Sequence, residues 1–175
     1  MAGAAGVTLR AAANEDAPAL AAIYAHHVLH GVASYDLVPP PAHWFESKIA
    51  ELAGRGWPFL VAERGGTVVG YAYAAQLRER EGYRYTCEDS IYVAPDAIGT
   101  GVGSALLARL IDDAGAAGFL RMVAVIGGAE PASIALHARH SFVEVGRLPR
   151  IGRKFGRWLD TVHMWRELSG ERTGD

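Results

Sequence analysis

A chain of 175 residues, half of them apolar and 21% charged, has the size and balance of one globular domain, able to bury roughly 70% of its unfolded-chain surface without covalent staples. Seventeen basic against nineteen acidic residues give a formal charge of −2, which argues against a nucleic-acid binder working through a basic surface. A single cysteine, Cys87, excludes an internal disulfide and a cysteine-rich metal site.

The start, Met1 to Gly6, lacks the basic residues and the apolar run of about 7–15 residues that mark a secretory leader. No apolar stretch reaches the ~18 residues of a membrane span. A soluble, cytoplasmic α/β domain without membrane or nucleic-acid partners is the expectation. Residues 1–6 and 168–175 read as flexible ends around a domain at 7–167.

Val7–Ala11 reads as the first strand. Asn14 is placed to cap a helix whose first turn carries Glu15 and Asp16, where negative charge suits the dipole. Leu20, Ile23, Tyr24, His27 and Val28 follow at helical spacing, and Gly31 ends the run. After Pro39-Pro40-Pro41 a second helix gathers Trp44, Phe45, Ile49 and Leu52 on one side. Phe59–Glu63 and Thr67–Tyr73, joined through Arg64-Gly65-Gly66, read as a hairpin. A charged loop, Arg78 to Gly82, leads to a strand at Tyr85–Val93.

The run Gly99-Thr100-Gly101-Val102-Gly103 then opens a helix bearing Leu106, Leu107, Leu110, Ile111 and Ala114, which Gly118 stops. Leu120–Ile126, apolar apart from Arg121, reads as a central strand covered on both faces. A helix at about Pro131–His140 and strands at Phe142–Leu148 and Trp158–Trp165 complete the order β-α-α-β-β-β-α-β-α-β-β, a single mixed sheet flanked by helices.

A strand, a glycine loop and a helix start make an anion site, since the unpaired N–H groups there face the ligand. Taken alone the loop can also be read as a tight turn before a helix. A P-loop would need a lysine after Gly103, where Ser104 stands. A dinucleotide fingerprint would need glycine at Leu106 and an acidic residue about 20 positions on, and neither is present.

The remaining candidate is the coenzyme A loop of the GNAT superfamily, whose glycine end Gly101-Val102-Gly103 resembles. Within that superfamily the chain is similar to the phosphinothricin and methionine sulfoximine N-acetyltransferases. The similar stretches include Ile23–Val28, Trp57–Glu63, Gly70–Ala74, Tyr85–Val93, Val123–Gly127 and Lys154–Asp160. Together they spread over roughly residues 7–167. The resemblance implies a GNAT-type fold, acetyl-CoA as acyl donor, a small amine as acceptor, no metal, and a homodimer. Two places depart from the family pattern: at the start of the loop Ile98 replaces the usual Gln or Arg and Gly99 the basic residue after it, and Glu130 replaces the usual Asn before the downstream helix.

The resemblance also implies the site residues. Ile91, Tyr92, Val93, Ile98, Gly99, Thr100, Gly101, Val102, Gly103, Ser104 and Ser133 would hold the cofactor. Glu88 would be the general base that takes the amine's proton. The bland alternative is an edge carboxylate paired with arginine. His137, four residues after Ser133 on one helical face, would assist proton transfer or be merely held in place. Arg80 would clamp a substrate carboxylate or stay a solvated charge, and Tyr35, Tyr73 and Tyr83 would wall the pocket or pack. Asp89 alternates to the other face of an ideal strand, so it and Glu88 are not expected to act as a pair. Cys87, without a histidine in pattern, is expected to be buried and inert. Two other functions fit the same machinery: acetylation of protein or peptide N-termini, and coenzyme A binding without catalysis.

Overall fold

The computed structural model describes residues 6–168. The flexible ends expected from the sequence lie, at residues 1–5 and 169–175, outside the described residues. Eleven elements follow in the expected order: β1 Val7–Ala11, α1 Ala17–His30, α2 Ala42–Gly54, β2 Phe59–Arg64, β3 Thr67–Gln76, β4 Thr86–Val93, α3 Val102–Ala116, β5 Arg121–Gly127, α4 Pro131–Arg139, β6 Val143–Lys154 and β7 Arg157–Glu167. The seven strands form one sheet in the order β1-β2-β3-β4-β5-β7-β6. Only β4 and β5 run parallel; the other neighbours are antiparallel.

Strand alternation divides the core into two layers. From β2, Leu60 and Ala62 turn to one side, where α3 supplies Leu106, Leu107 and Leu110. Phe59 and Val61 turn to the other side and meet Leu20, Phe45 and Leu52 of α1 and α2. Each of those α3 leucines is fully buried, a burial worth about 1.5–3 kcal/mol apiece. Among the described residues no helix is long and apolar enough to cross a membrane.

Three expectations need correction. Asn14 caps nothing: it lies in a short 3-10 turn, and the carboxylate of Asp16 instead accepts the Ala13 N–H at 2.8 Å while binding Arg10. The strand β5 is covered on one face only, with Met122, Ala124 and Ile126 buried and Val125 37% exposed. The last hairpin is much longer than its apolar residues suggest. β6 runs to Lys154, and the turn is made by Phe155 and Gly156 at φ +49° and +72°, the left-handed pair that suits a two-residue hairpin turn.

The departure of β4 from β5 positions the site. Their ladder holds only Thr86–Glu88 against Arg121–Val123. Beyond it β4 continues to Val93 on β3, and β5 continues to Gly127 on β7. The sheet therefore splits open in its middle.

Candidate active site

The split leaves one edge of β4 without a strand. Leu77 N–H donates to the Thr86 carbonyl and Ala94 N–H to the Val69 carbonyl, so even-numbered residues of β4 turn their peptide groups to β3. Odd-numbered residues turn theirs the other way, as Tyr85 does in receiving Leu120 and Arg121. At Asp89, Ile91 and Val93 those groups face the gap. The Val93 carbonyl is taken by the ring of His27, Nε2 at 2.8 Å. Burial holds His27 below its ordinary pKa, so a neutral ring with Nε2–H as donor fits this contact.

The open edge leads into the glycine loop. Gly101 is the N-cap of α3 at φ +87°, and Gly99 stands at +78°, backbone that favours glycine. No side chain caps α3, so the first N–H groups, at Val102, Gly103 and Ser104, keep no intrahelical acceptor. Thr100 donates to the Ala97 carbonyl and receives Arg64 Nη2 at 3.0 Å. A guanidinium thus stands beside a loop in which Ile98 is exposed and Gly99 has no side chain. Glu130 is the N-cap of α4 and makes no side-chain capping bond. An open strand edge feeding an uncapped helix start fits a phosphate-bearing cofactor with an extended arm.

The two faces of β4 carry different chemistry. Glu88 stands on the face of α1 and α2, paired across the ladder with Ala75 and diagonal to Tyr73, which opposes Ser90. Its side chain is 35% exposed and lies 3.9 Å from Arg78 Nη1. Burial raises its pKa above the ordinary value, Arg78 pulls it down, and Asp89 adds to the rise. Tyr73, also raised by burial, has Lys48 Nζ 5.9 Å from its ring centre. Arg80 and Tyr83 lie with Arg78 and Glu79 around a separate depression on the neighbouring loop. Gln76 Nε2 ties that loop by donating to the carbonyls of Arg78 and Arg80.

Asp89 stands on the opposite face, the first residue past the last β4–β5 pair. It is buried, and its Oδ2 lies 3.0 Å from Nε2 of His137, itself 2% exposed. Nδ1 of His137 lies 2.8 Å from the Ser133 carbonyl and 3.4 Å from the Ser133 hydroxyl. Burial pulls the His137 pKa down, but Asp89 and the Ser133 carbonyl more than offset it, so the net shift is upward. Cys87, on the same face, is buried, and its thiol is pushed well up by burial and by Asp89; so high a thiol pKa disfavours a nucleophilic role.

Between these faces lies a cleft of about 110 Å³, lined among others by Glu88, Asp89, Ile91, Val125, Ser133 and His137. The structure therefore brings Glu88, Ser133 and His137 to one opening, with Ile91 and Tyr92 on its β4 wall. Arg80 and Tyr83 stay on the neighbouring loop. Three residues escaped the sequence reading. Arg78, not Arg80, is the arginine beside Glu88; His27 holds the end of β4; and Asp89 is joined to His137 across 48 positions. Only Arg78 left a sequence signal, by its place in the charged loop.

Comparison with known proteins places this geometry. The model of the Acetyltransferase (GNAT) family matches residues 19–142. Phosphinothricin N-acetyltransferase of Alcaligenes faecalis is 47% identical over 95% of this chain and 85% of its own. The L-methionine sulfoximine/L-methionine sulfone acetyltransferase of Salmonella typhimurium is 39% identical over 97% and 99%. Among solved structures, a phosphinothricin acetyltransferase from Sinorhizobium meliloti in complex with acetyl-CoA superposes with a TM-score of 0.93 at 43% identity, covering 97% of this chain and 92% of that one.

Proposed function

The chain belongs to the GNAT acetyltransferase family, and on that premise we propose that it transfers acetyl from acetyl-CoA to the primary amine of a small amino-acid-like substrate. The substrate is of phosphinothricin or methionine sulfoximine type, and the amine attacks directly within a ternary complex. The names of the similar enzymes support the substrate class, and the acetyl-CoA complex of the similar structure supports the donor. A homodimer and a cytoplasmic location belong to the same reading.

The observation that carries the proposal is the unpaired edge of β4, running from beside Glu88 into the uncapped start of α3. The N–H groups of Val102, Gly103 and Ser104 would hold the cofactor's phosphates, aided by the helix dipole. The N–H groups of Ile91 and Val93 would meet its arm and the acyl oxygen, donating where negative charge develops. Bound acetyl-CoA supplies a thioester carbon open to attack. Glu88 takes the proton that the attacking amine must lose; its raised pKa brings it closer to the working pH. Arg78 and Arg80 supply positive charge for a substrate carboxylate, and Tyr73 and Tyr83 flank them. His137 assists proton transfer at one remove, since both ring nitrogens face protein acceptors.

The test is acetyl transfer from acetyl-CoA to a panel holding phosphinothricin, methionine sulfoximine, free amino acids and a peptide with a free N-terminus. Turnover of the small amines with the peptide left unmodified is the expected result. Turnover of the peptide alone would replace the acceptor class, and binding of acetyl-CoA with no transfer would leave a silent coenzyme A module.

A further inference from the structure

The glycine loop has no cation of its own. Ile98 and Gly99 stand where the family pattern puts polar and basic side chains, so the loop itself offers an anion no charged group. Arg64, the last residue of β2, comes to it from outside. Leu60 and Ala62 of that strand pack on α3. Arg64, two places further, reaches the start of the same helix, with Nη2 3.0 Å from Thr100 Oγ1. Thr100 passes its own hydroxyl hydrogen to the Ala97 carbonyl at 2.7 Å, so the guanidinium is tied to the residue between Gly99 and Gly101. A guanidinium has five N–H donors, and among the described residues this contact is the one hydrogen bond that Arg64 makes. Its Nε is buried with no acceptor. Glu63, the neighbouring carboxylate on β2, is engaged by Arg10 at 3.1 Å, and no carboxylate among the described residues pairs with Arg64. The side chain lies half-buried at the loop, although withdrawing Nε from water is costly. One neutral hydrogen bond offsets little of that cost, whereas an anion at the α3 start would supply the missing counter-charge.

We propose that Arg64 is the cation of the cofactor site, a phosphate-recognition residue carried at the end of β2 in place of a basic residue on the loop. This rests on the acetyl-transfer reading and concerns the phosphate-bearing end of the donor. Through Thr100 the guanidinium steadies the loop between the left-handed Gly99 and Gly101. Its charge adds to the field of the α3 start, where the first N–H groups lack intrahelical acceptors. Backbone donors alone accept any anion that fits, and a guanidinium adds charge-assisted bonds that suit phosphate. Arg64 therefore makes the site prefer a donor that carries phosphates over the same thioester without them. Because the group is partly solvated, its contribution weakens as ionic strength rises.

The experiment uses two donors: acetyl-CoA, and S-acetylpantetheine, which carries the same thioester and arm without phosphates. Wild type, Arg64→Ala, Arg64→Gln and Arg64→Lys are compared in acetyl-CoA affinity, by calorimetry at low and high salt, and in kcat/KM with each donor. Arg64→Ala should weaken acetyl-CoA binding about tenfold, toward the low end for a hydrogen bond to a charged group. It should also flatten the salt dependence of that affinity and cut the preference for acetyl-CoA over S-acetylpantetheine by about the same factor. Arg64→Gln, which drops the charge but keeps a polar side chain, should do likewise and serves if Arg64→Ala does not fold. Arg64→Lys keeps the charge and should stay within about threefold of wild type, with its salt dependence intact. Wild-type affinity in the uncharged variants, an equal loss with both donors, an unaltered salt dependence, or a lysine variant as weak as the alanine one overturns the proposal. If the wild type binds no acetyl-CoA, the cofactor reading has failed, and the role of Arg64 with it. If it binds acetyl-CoA but transfers nothing, the transfer reading alone has failed, and calorimetry still judges Arg64.

Discussion

The two faces of β4 place neighbouring carboxylates in opposite surroundings. Glu88 is half-buried and meets Arg78 and an aromatic wall beside an open loop. Asp89, one residue on, is enclosed and bound to a buried histidine. One strand thus carries a half-exposed carboxylate beside the open loop and, on its other face, a carboxyl group bound to a buried imidazole. The strand's period of two makes the division, and the widening between β4 and β5 gives both sides access to one cleft.

The largest way to break that comparison is Glu88→Gln, which keeps size and hydrogen bonding but removes basicity. Turnover at neutral pH should fall by roughly 10²–10⁴, with acetyl-CoA affinity unchanged in calorimetry. Raising the pH should restore part of the rate, because solvent then deprotonates the amine.

Gly101→Val tests the groove that both faces share. It puts a β-branched residue at φ +87° and a side chain where phosphate would approach the backbone. Saturating acetyl-CoA should stabilise the wild type in thermal unfolding, by about 2.7 kcal/mol at a hundredfold excess over Kd. The variant should lose that shift.

The arginines sharpen the open face. Arg80→Ala should cost about 1.5–3 kcal/mol of substrate binding, read as a rise in KM with little change in kcat. An unchanged KM for phosphinothricin returns Arg80 to the solvated surface. Arg78→Ala should act on the base itself. Arg78 favours the charged form of Glu88, so its loss raises the Glu88 pKa and moves the low-pH limb of kcat/KM upward.

Much of this was legible in the sequence. The order of elements follows from apolar periodicity and glycine punctuation, and Glu88, Gly101 and Ser133, singled out by the resemblance, lie on β4, at the start of α3 and on α4. The hairpin β6–β7 was half seen. Nearly all of Val143–Lys154 is exposed, so no burial alternation marks its outer half, and ladder hydrogen bonds extend it. Alternation correctly sent Asp89 away from Glu88 but could not supply its partner, since α4 meets β4 only through tertiary packing. The site of Arg78 was hidden similarly, because the tie from Gln76 that shapes its loop depends on side-chain geometry.

The pH profile of kcat/KM for acetyl transfer, measured side by side for wild type and Glu88→Gln, tests the division of labour most directly. As a base, Glu88 works when deprotonated, so the wild-type rate should rise with pH through a midpoint above the ordinary carboxylate range, in keeping with the direction of its shift. That rising limb should vanish in Glu88→Gln, leaving only the dependence of the amine. A limb that persists unchanged in Glu88→Gln would contradict the account, because the proton would then be leaving to some group other than the carboxylate on the open face of β4.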